Sequence, residues 1–168
     1  MTLENPHQLA LLREIYTTLD YDLDKLDSES KGREWIELGF QCEDPTSDFR
    51  GTGHLGLLNL HYFVSADTLK ARQLLQEANL TEQHYFFACA GINFTYKLLF
   101  MLAEDKSRVH NFENCKDKED ALQRFNVLYE KFFEDFHNYW MNSNLKTSIM
   151  NFNIVLSDFC EKYKQNRV

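Results

Sequence analysis

Between Ala121 and Trp140 the apolar residues include Ala121, Leu122, Phe125, Leu128, Tyr129, Phe132, Phe133, Phe136, Tyr139 and Trp140. They recur at intervals of three and four, the spacing that places side chains on one face of a helix. A stripe this broad and aromatic has to be buried against other elements, and the rest of the chain supplies helices to bury it. Asn5 followed by Pro6 reads as a cap and a first-turn proline, opening a helix with the face Leu9, Leu12, Ile15, Tyr16 and Leu19 that ends near Asp20.

A polar, acidic connector follows from Asp20 to Ser30, then a short helical stretch around Trp35 and a helix from near Gly53 through Phe63. Ser65 and Thr81 read as caps for helices over about Ala66 to Ala78 and Glu82 to Leu102. A last helix over Ser148 to Tyr163 carries Ile149, Phe152, Val155, Leu156, Phe159 and Tyr163, and no useful strand-like alternation is present. The expected fold is all-α, a compact helical bundle of about six to seven helices. With 168 residues and no internal repeat or linker, residues 1–168 are expected to form one domain.

Composition narrows the function classes. Hydrophobic residues make up 43% of the chain and aromatics 14%, which suits a packed core rather than a disordered segment. A net charge of -8, with cations scattered singly apart from Lys162, Lys164 and Arg167 at the end, disfavours nucleic acid and anionic bilayers as partners. Cys42, Cys89, Cys115 and Cys160 are widely separated and form no C-x-x-C pair, so no structural zinc site is expected. The opening Met-Thr-Leu-Glu-Asn-Pro lacks the basic-then-apolar pattern of a secretory signal, which predicts reduced thiols and a cytoplasmic location.

The apolar stretch from Tyr85 to Leu102 is long enough to be weighed as a membrane span. Asn93, Thr95 and Lys97 interrupt it, and a lysine at mid-bilayer costs roughly 2.5 to 3.5 kcal/mol on insertion scales, so a buried central helix is expected instead.

Irregular backbone is concentrated in one place. Five of the six glycines, Gly32, Gly39, Gly51, Gly53 and Gly56, fall in a span that also holds the turn signal Asp44-Pro45. In an otherwise helical chain this glycine-rich loop, just before a central helix, is the first place to look for function. Arg50 sits in it, within the string from Asp48 to Leu60. Two roles fit an arginine here: it pairs with Asp48 or Asp44 and ties the loop down, or it is presented to a partner, where its charged fork can stabilise a transferring phosphoryl group.

Trp35, Leu38-Gly39-Phe40-Gln41, Asp44-Pro45, Ser47-Asp48-Phe49-Arg50-Gly51, Gly53, Leu55, Leu57, Asn59, Leu60, Tyr62 and Phe63 together resemble the signature of the ELMO (engulfment and cell motility) domain. Gly91-Ile92-Asn93 with Thr95, Phe125-Asn126 with Leu128-Tyr129, and Trp140 resemble its later helices, so the likeness covers essentially the full chain. Cys42 stands where the family often has glycine.

In the branch of small ELMO domain-containing proteins, the resemblance implies a GTPase-activating module for Arf and Arf-like GTPases. The arginine of the DFRG motif, here Arg50, is then the catalytic residue, supplied in trans to the GTP-bound partner. The alternative is the role seen in the scaffold branch: a non-catalytic module docking a small GTPase or a DOCK-type exchange factor in cytoskeletal and engulfment signalling.

Gln41, Asp48, Gly51, Gly53 and Asn59 are expected to support the loop or contact the partner. Gln41, Asp48 and Asn59 would do so by hydrogen-bonding the loop backbone or orienting Arg50. His54 and His61 lie two turns apart, too far for a shared metal, and the phosphate-binding glycine loop of a GTPase is absent. No metal or cofactor of its own is expected beyond the partner's magnesium and nucleotide, and any membrane association would be peripheral, through that partner.

Overall fold

The computed structural model describes residues 5–28, 30–79, 83–104, 112–143 and 148–165. Among these residues there are seven α-helices and no strand. The helices are α1 (Pro6–Thr18), α2 (Glu34–Glu37), α3 (Gly53–Ala66), α4 (Thr68–Asn79), α5 (Phe87–Glu104), α6 (Lys118–Met141) and α7 (Phe152–Gln165). Short 3₁₀ segments occupy Leu23–Lys25, Pro45–Arg50 and Ile149–Asn151. The all-α bundle expected from the periodicity is the one observed.

α1 begins as its sequence dictates: the Asn5 side chain accepts from the His7 N–H at 3.0 Å, and Pro6 occupies the first turn. α6 is the long aromatic helix, extended by three residues at its start because Asp117 accepts from the Asp120 N–H at 2.8 Å. Its buried face, with Tyr129, Phe132, Phe133, Phe136 and Trp140 fully enclosed, forms the centre of the core. Phe133 stacks on Phe63 of α3 at 4.2 Å between centroids and meets Phe94 of α5 edge-on at 5.0 Å. Such pairs contribute about 0.5–1.5 kcal/mol each beyond burial. α3 is the hub, packing on α1, α4, α5, α6 and the Pro45–Arg50 segment.

Three boundaries differ from expectation. Ser65 does not cap α4, since it lies within the last turn of α3; the cap is Asp67, whose Oδ1 accepts from the Lys70 N–H at 3.0 Å. The backbone leaves helical geometry at Asp67, with φ −141° and ψ 85°, so the carboxylate there is the one in place to accept. α5 starts at Phe87 rather than at Glu82, and Thr81 lies outside the described residues. Residues 84–86 run non-helically with Tyr85 buried, and the Trp140 indole N–H donates to the Gln83 carbonyl at 2.5 Å. The last helix opens with a 3₁₀ turn and becomes α-helical only at Phe152. None of the described helices is long and apolar enough to cross a membrane.

A polar knot crosses the core. Asn59 of α3, fully buried, donates from Nδ2 to Asn126 Oδ1 of α6 at 2.7 Å and accepts from Thr95 Oγ1 of α5 at 3.0 Å. Removing one member strands the others away from water, at a cost of about 1–3 kcal/mol. Asn59→Leu is therefore expected to lower the free energy of unfolding by that amount in urea titrations, despite its added apolar surface. An unchanged midpoint would mean that the knot contributes nothing.

Candidate functional site

The site is built where the glycine-rich loop docks on the start of α5. The first turn of any helix has unpaired N–H groups. In α5, those of Ala88 and Cys89 donate to the carbonyls of Leu38 (3.1 Å) and Gly39 (3.0 Å), so the loop itself caps the helix. The approach is close enough to require glycine: Gly39 has φ +86°, and a Cβ there would lie 2.2 Å from the Phe87 nitrogen. Phe40 and Phe49, both fully buried, anchor the loop against Trp35, which Phe40 meets edge-on at 5.3 Å.

The Pro45–Arg50 segment is shaped by its carboxylates. Asp44 caps it, accepting from the Thr46 N–H at 3.0 Å and from Thr46 Oγ1 at 2.5 Å. Asp48 Oδ2 accepts the Gln41 N–H at 2.9 Å, closing the loop, and also the Cys89 thiol at 3.4 Å. Burial and, after it, the Asp48 carboxylate push the Cys89 thiol pKa well up.

Arg50 ends the 3₁₀ segment and is exposed. Its Nε donates to the Ser47 carbonyl at 2.8 Å, and among the described residues no carboxylate pairs with it. Of the two roles open to it from the sequence, the ion pair with Asp44 or Asp48 is not formed. Those carboxylates are engaged by the loop backbone, by Thr46 and, for Asp44, by Lys31 at 4.0 Å. The hydrogen bond to Ser47 fixes the base of the guanidinium, and the fork faces solvent.

The other residues singled out in the sequence divide. Gln41, Asp48 and Gly51 surround Arg50's segment and line a cleft of about 190 Å³ with Thr52, Cys89 and Tyr96. Gly53 opens α3 at φ +57°, a conformation that favours glycine. Asn59 is not part of this cluster: it bonds neither the loop backbone nor Arg50, and belongs to the core knot. Gln41, Cys89 and Asn93 also line a second cleft of about 360 Å³, bordered by Ile149 and Phe152.

The outer face of α5 adds exposed residues that the motifs of the sequence do not single out. Tyr96 and Phe100 are 52% and 50% exposed, one turn apart, with Tyr96 on the wall of the cleft that Gln41, Asp48 and Gly51 line. In a helix this apolar, periodicity does not tell which stripe faces out; the polar Asn93 and Lys97 beside it were the available signal. Among the described residues no group of three or more His, Cys, Asp or Glu is placed to hold a metal, and His54 and His61 instead meet Gln8 (3.4 Å) and Glu14 (2.7 Å).

The family model described as ELMO/CED-12 family matches residues 1–156. ELMO domain-containing protein B of Dictyostelium discoideum is 38% identical over 134 residues, covering 80% of this chain and 45% of that protein. Human ELMO domain-containing protein 2 is 35% identical over 132 residues (79% and 44%), and human ELMO domain-containing protein 1 is 30% identical over 152 residues (76% and 45%). The chain spans less than half the length of these curated relatives. No solved structure matches it.

Proposed function

The chain belongs to the ELMO/CED-12 family, with relatives among the ELMO domain-containing proteins, and on that premise we propose that it acts as one ELMO domain that activates GTP hydrolysis by an Arf or Arf-like GTPase. The observation that carries this reading is the state of Arg50: exposed, unpaired with any carboxylate among the described residues, and steadied at Nε by a loop carbonyl. An arginine that reaches into a partner needs its terminal N–H groups free and its base fixed, so that little order is lost on engagement.

In this mechanism the GTP-bound partner docks over the Arg50 loop and the cleft beside Tyr96. The guanidinium enters the nucleotide site and donates to oxygens that gain negative charge as the γ-phosphoryl group transfers. Magnesium and nucleotide belong to the partner. An arginine supplied in trans accelerates such hydrolysis by about 10³ to 10⁵. Asp48 holds Gln41 and thereby the loop, and Gly51 and Gly53 leave the surface next to Arg50 free of side chains.

The test is single-turnover GTP hydrolysis by a panel of Arf and Arf-like GTPases with and without this protein. Stimulation of at least one member is expected. Binding without stimulation of any member would favour the docking module instead, for a GTPase or a DOCK-type protein.

Tyr96 is the aromatic placed to anchor the partner. Truncating an anchor at an interface costs more than about 1 kcal/mol, so Tyr96→Ala is expected to weaken the GTPase complex roughly tenfold while leaving thermal stability nearly unchanged. Titration of the complex by calorimetry reads this; unchanged affinity would remove α5 from the interface.

A further inference from the structure

The two clefts beside the Arg50 loop are continuous, since Gln41, Cys89 and Asn93 line both. Their walls are neutral. In a chain with 26% charged residues, none of the described residues lining the 360 Å³ cleft carries a charge. Asp48, on the smaller cleft, is engaged by the Gln41 N–H at 2.9 Å and the Cys89 thiol at 3.4 Å. A charged occupant would give up its hydration there with no counter-charge to replace it.

What the groove offers is carboxamide. Gln41, Asn93 and Asn153 line it and are exposed. Asn93 Nδ2 donates to the Cys89 carbonyl at 2.8 Å, which fixes that side chain. Its Oδ1, and the side-chain amides of Gln41 and Asn153, take no hydrogen bond among the described residues. A carboxamide carries both a donor and an acceptor, as a peptide unit does, so three of them along one groove match the N–H and C=O groups of an extended backbone. Phe86, Ile149 and Phe152, each half-buried, add an apolar wall for a side chain. Residues of α5 from Cys89 to Tyr96 border the groove, about 10 Å at 1.5 Å per residue, which is the span of about three residues of extended chain.

We propose that this groove binds an extended, uncharged segment of the GTPase, about three residues long and carrying an aliphatic side chain, through the amides of Gln41, Asn93 and Asn153. The segment's backbone pairs with the three amides, and its aliphatic side chain lies against Phe86, Ile149 and Phe152. That the segment belongs to a GTPase rests on the proposed function: the groove reaches Gly51, next to Arg50, so a protein presenting its nucleotide to Arg50 lies across it. Contacts in the groove are made equally before and during phosphoryl transfer, so they set affinity, while Arg50 sets rate.

The experiment has two arms. In the first, the full chain is titrated with millimolar acetyl-Ala-Leu-Ala-amide, followed by the side-chain NH₂ signals of Gln41, Asn93 and Asn153 in nuclear magnetic resonance spectra. Saturable shifts at these signals are expected, and none with the peptide in which glutamate replaces leucine. Absence of shifts with the leucine peptide, or equal shifts with both, would overturn the proposal. In the second arm Asn153→Asp places a carboxylate of the same shape in the neutral groove. Asn153 is exposed in the first turn of α7, where an aspartate is favoured, so the variant is expected to stay folded. It should lose the leucine-peptide shifts and need roughly tenfold more protein for half-maximal stimulation of a responsive GTPase, with the saturating rate unchanged. An unchanged half-maximal concentration would overturn the groove as the seat of a GTPase segment. Stimulation of no GTPase by the parent would instead refute the activating function and with it the source of the segment, while the peptide arm, which involves no GTPase, still decides what the groove binds.

Discussion

Replacing Arg50 by alanine is expected to abolish stimulation of GTP hydrolysis, a loss of about 10³ to 10⁵ in single-turnover rate, while the protein remains folded. The two halves of this expectation have separate causes. Arg50 is exposed and, among the described residues, makes one hydrogen bond, to the Ser47 carbonyl, so its removal should change stability by no more than about 0.5 kcal/mol. Its effect on rate comes from charge that develops only during phosphoryl transfer. Arg50→Lys sharpens the point, because lysine keeps the charge but not the planar fork, and most of the activity should still be lost. An alanine variant as active as the parent would assign Arg50 to loop structure.

Gly39→Ala is expected to be the most destabilising single-methyl change in the loop. Its φ of +86° is unfavourable for any residue with a Cβ, by roughly 1–2 kcal/mol, and the added carbon would meet the Phe87 nitrogen at 2.2 Å and the Phe86 carbonyl carbon at 2.8 Å. Those are backbone atoms, which cannot swing aside as a flexible side chain could. With an overpacking term of about 1–3 kcal/mol, the total is about 2–5 kcal/mol, a large fraction of the 5–15 kcal/mol that holds a typical domain. Gly51 is the matched control: its φ is −85° and a Cβ there touches nothing within 4 Å, so Gly51→Ala should be neutral in urea unfolding. Equal midpoints for the two variants would mean that the loop does not clamp α5.

The contrast between these glycines shows where the sequence was legible. Their clustering marked the irregular loop, because glycine and proline act on the local backbone. Which glycine is indispensable depends on a helix start nearly fifty residues away, and nothing local to Gly39 encodes that. α6 and the beginning of α1 were readable for the same local reason: a three-four repeat and an Asn-Pro pair carry their own geometry. Ser65 and Asp67 are both competent caps, and the choice fell to the residue at which α3 breaks off. α5 began later than expected because its first N–H groups are satisfied by Leu38 and Gly39 rather than by a preceding side chain. Asn59 reads as part of the loop cluster because of the motif it sits in, yet its partners, Thr95 and Asn126, come from two other helices. The exposure of Tyr96 was hidden for a related reason, since an apolar helix in the middle of a bundle does not reveal which face remains uncovered.

The most direct test of an arginine acting on the transition state is the affinity of this protein for its GTPase in two forms. One carries GDP with aluminium fluoride, mimicking the transferring phosphoryl group, and the other carries a non-hydrolysable GTP analogue. The account predicts that the parent binds the fluoride form about a hundredfold or more tightly than the analogue form, and that Arg50→Ala erases this preference while retaining affinity for the analogue. Equal affinity for both forms, or a preference that survives the substitution, would contradict it.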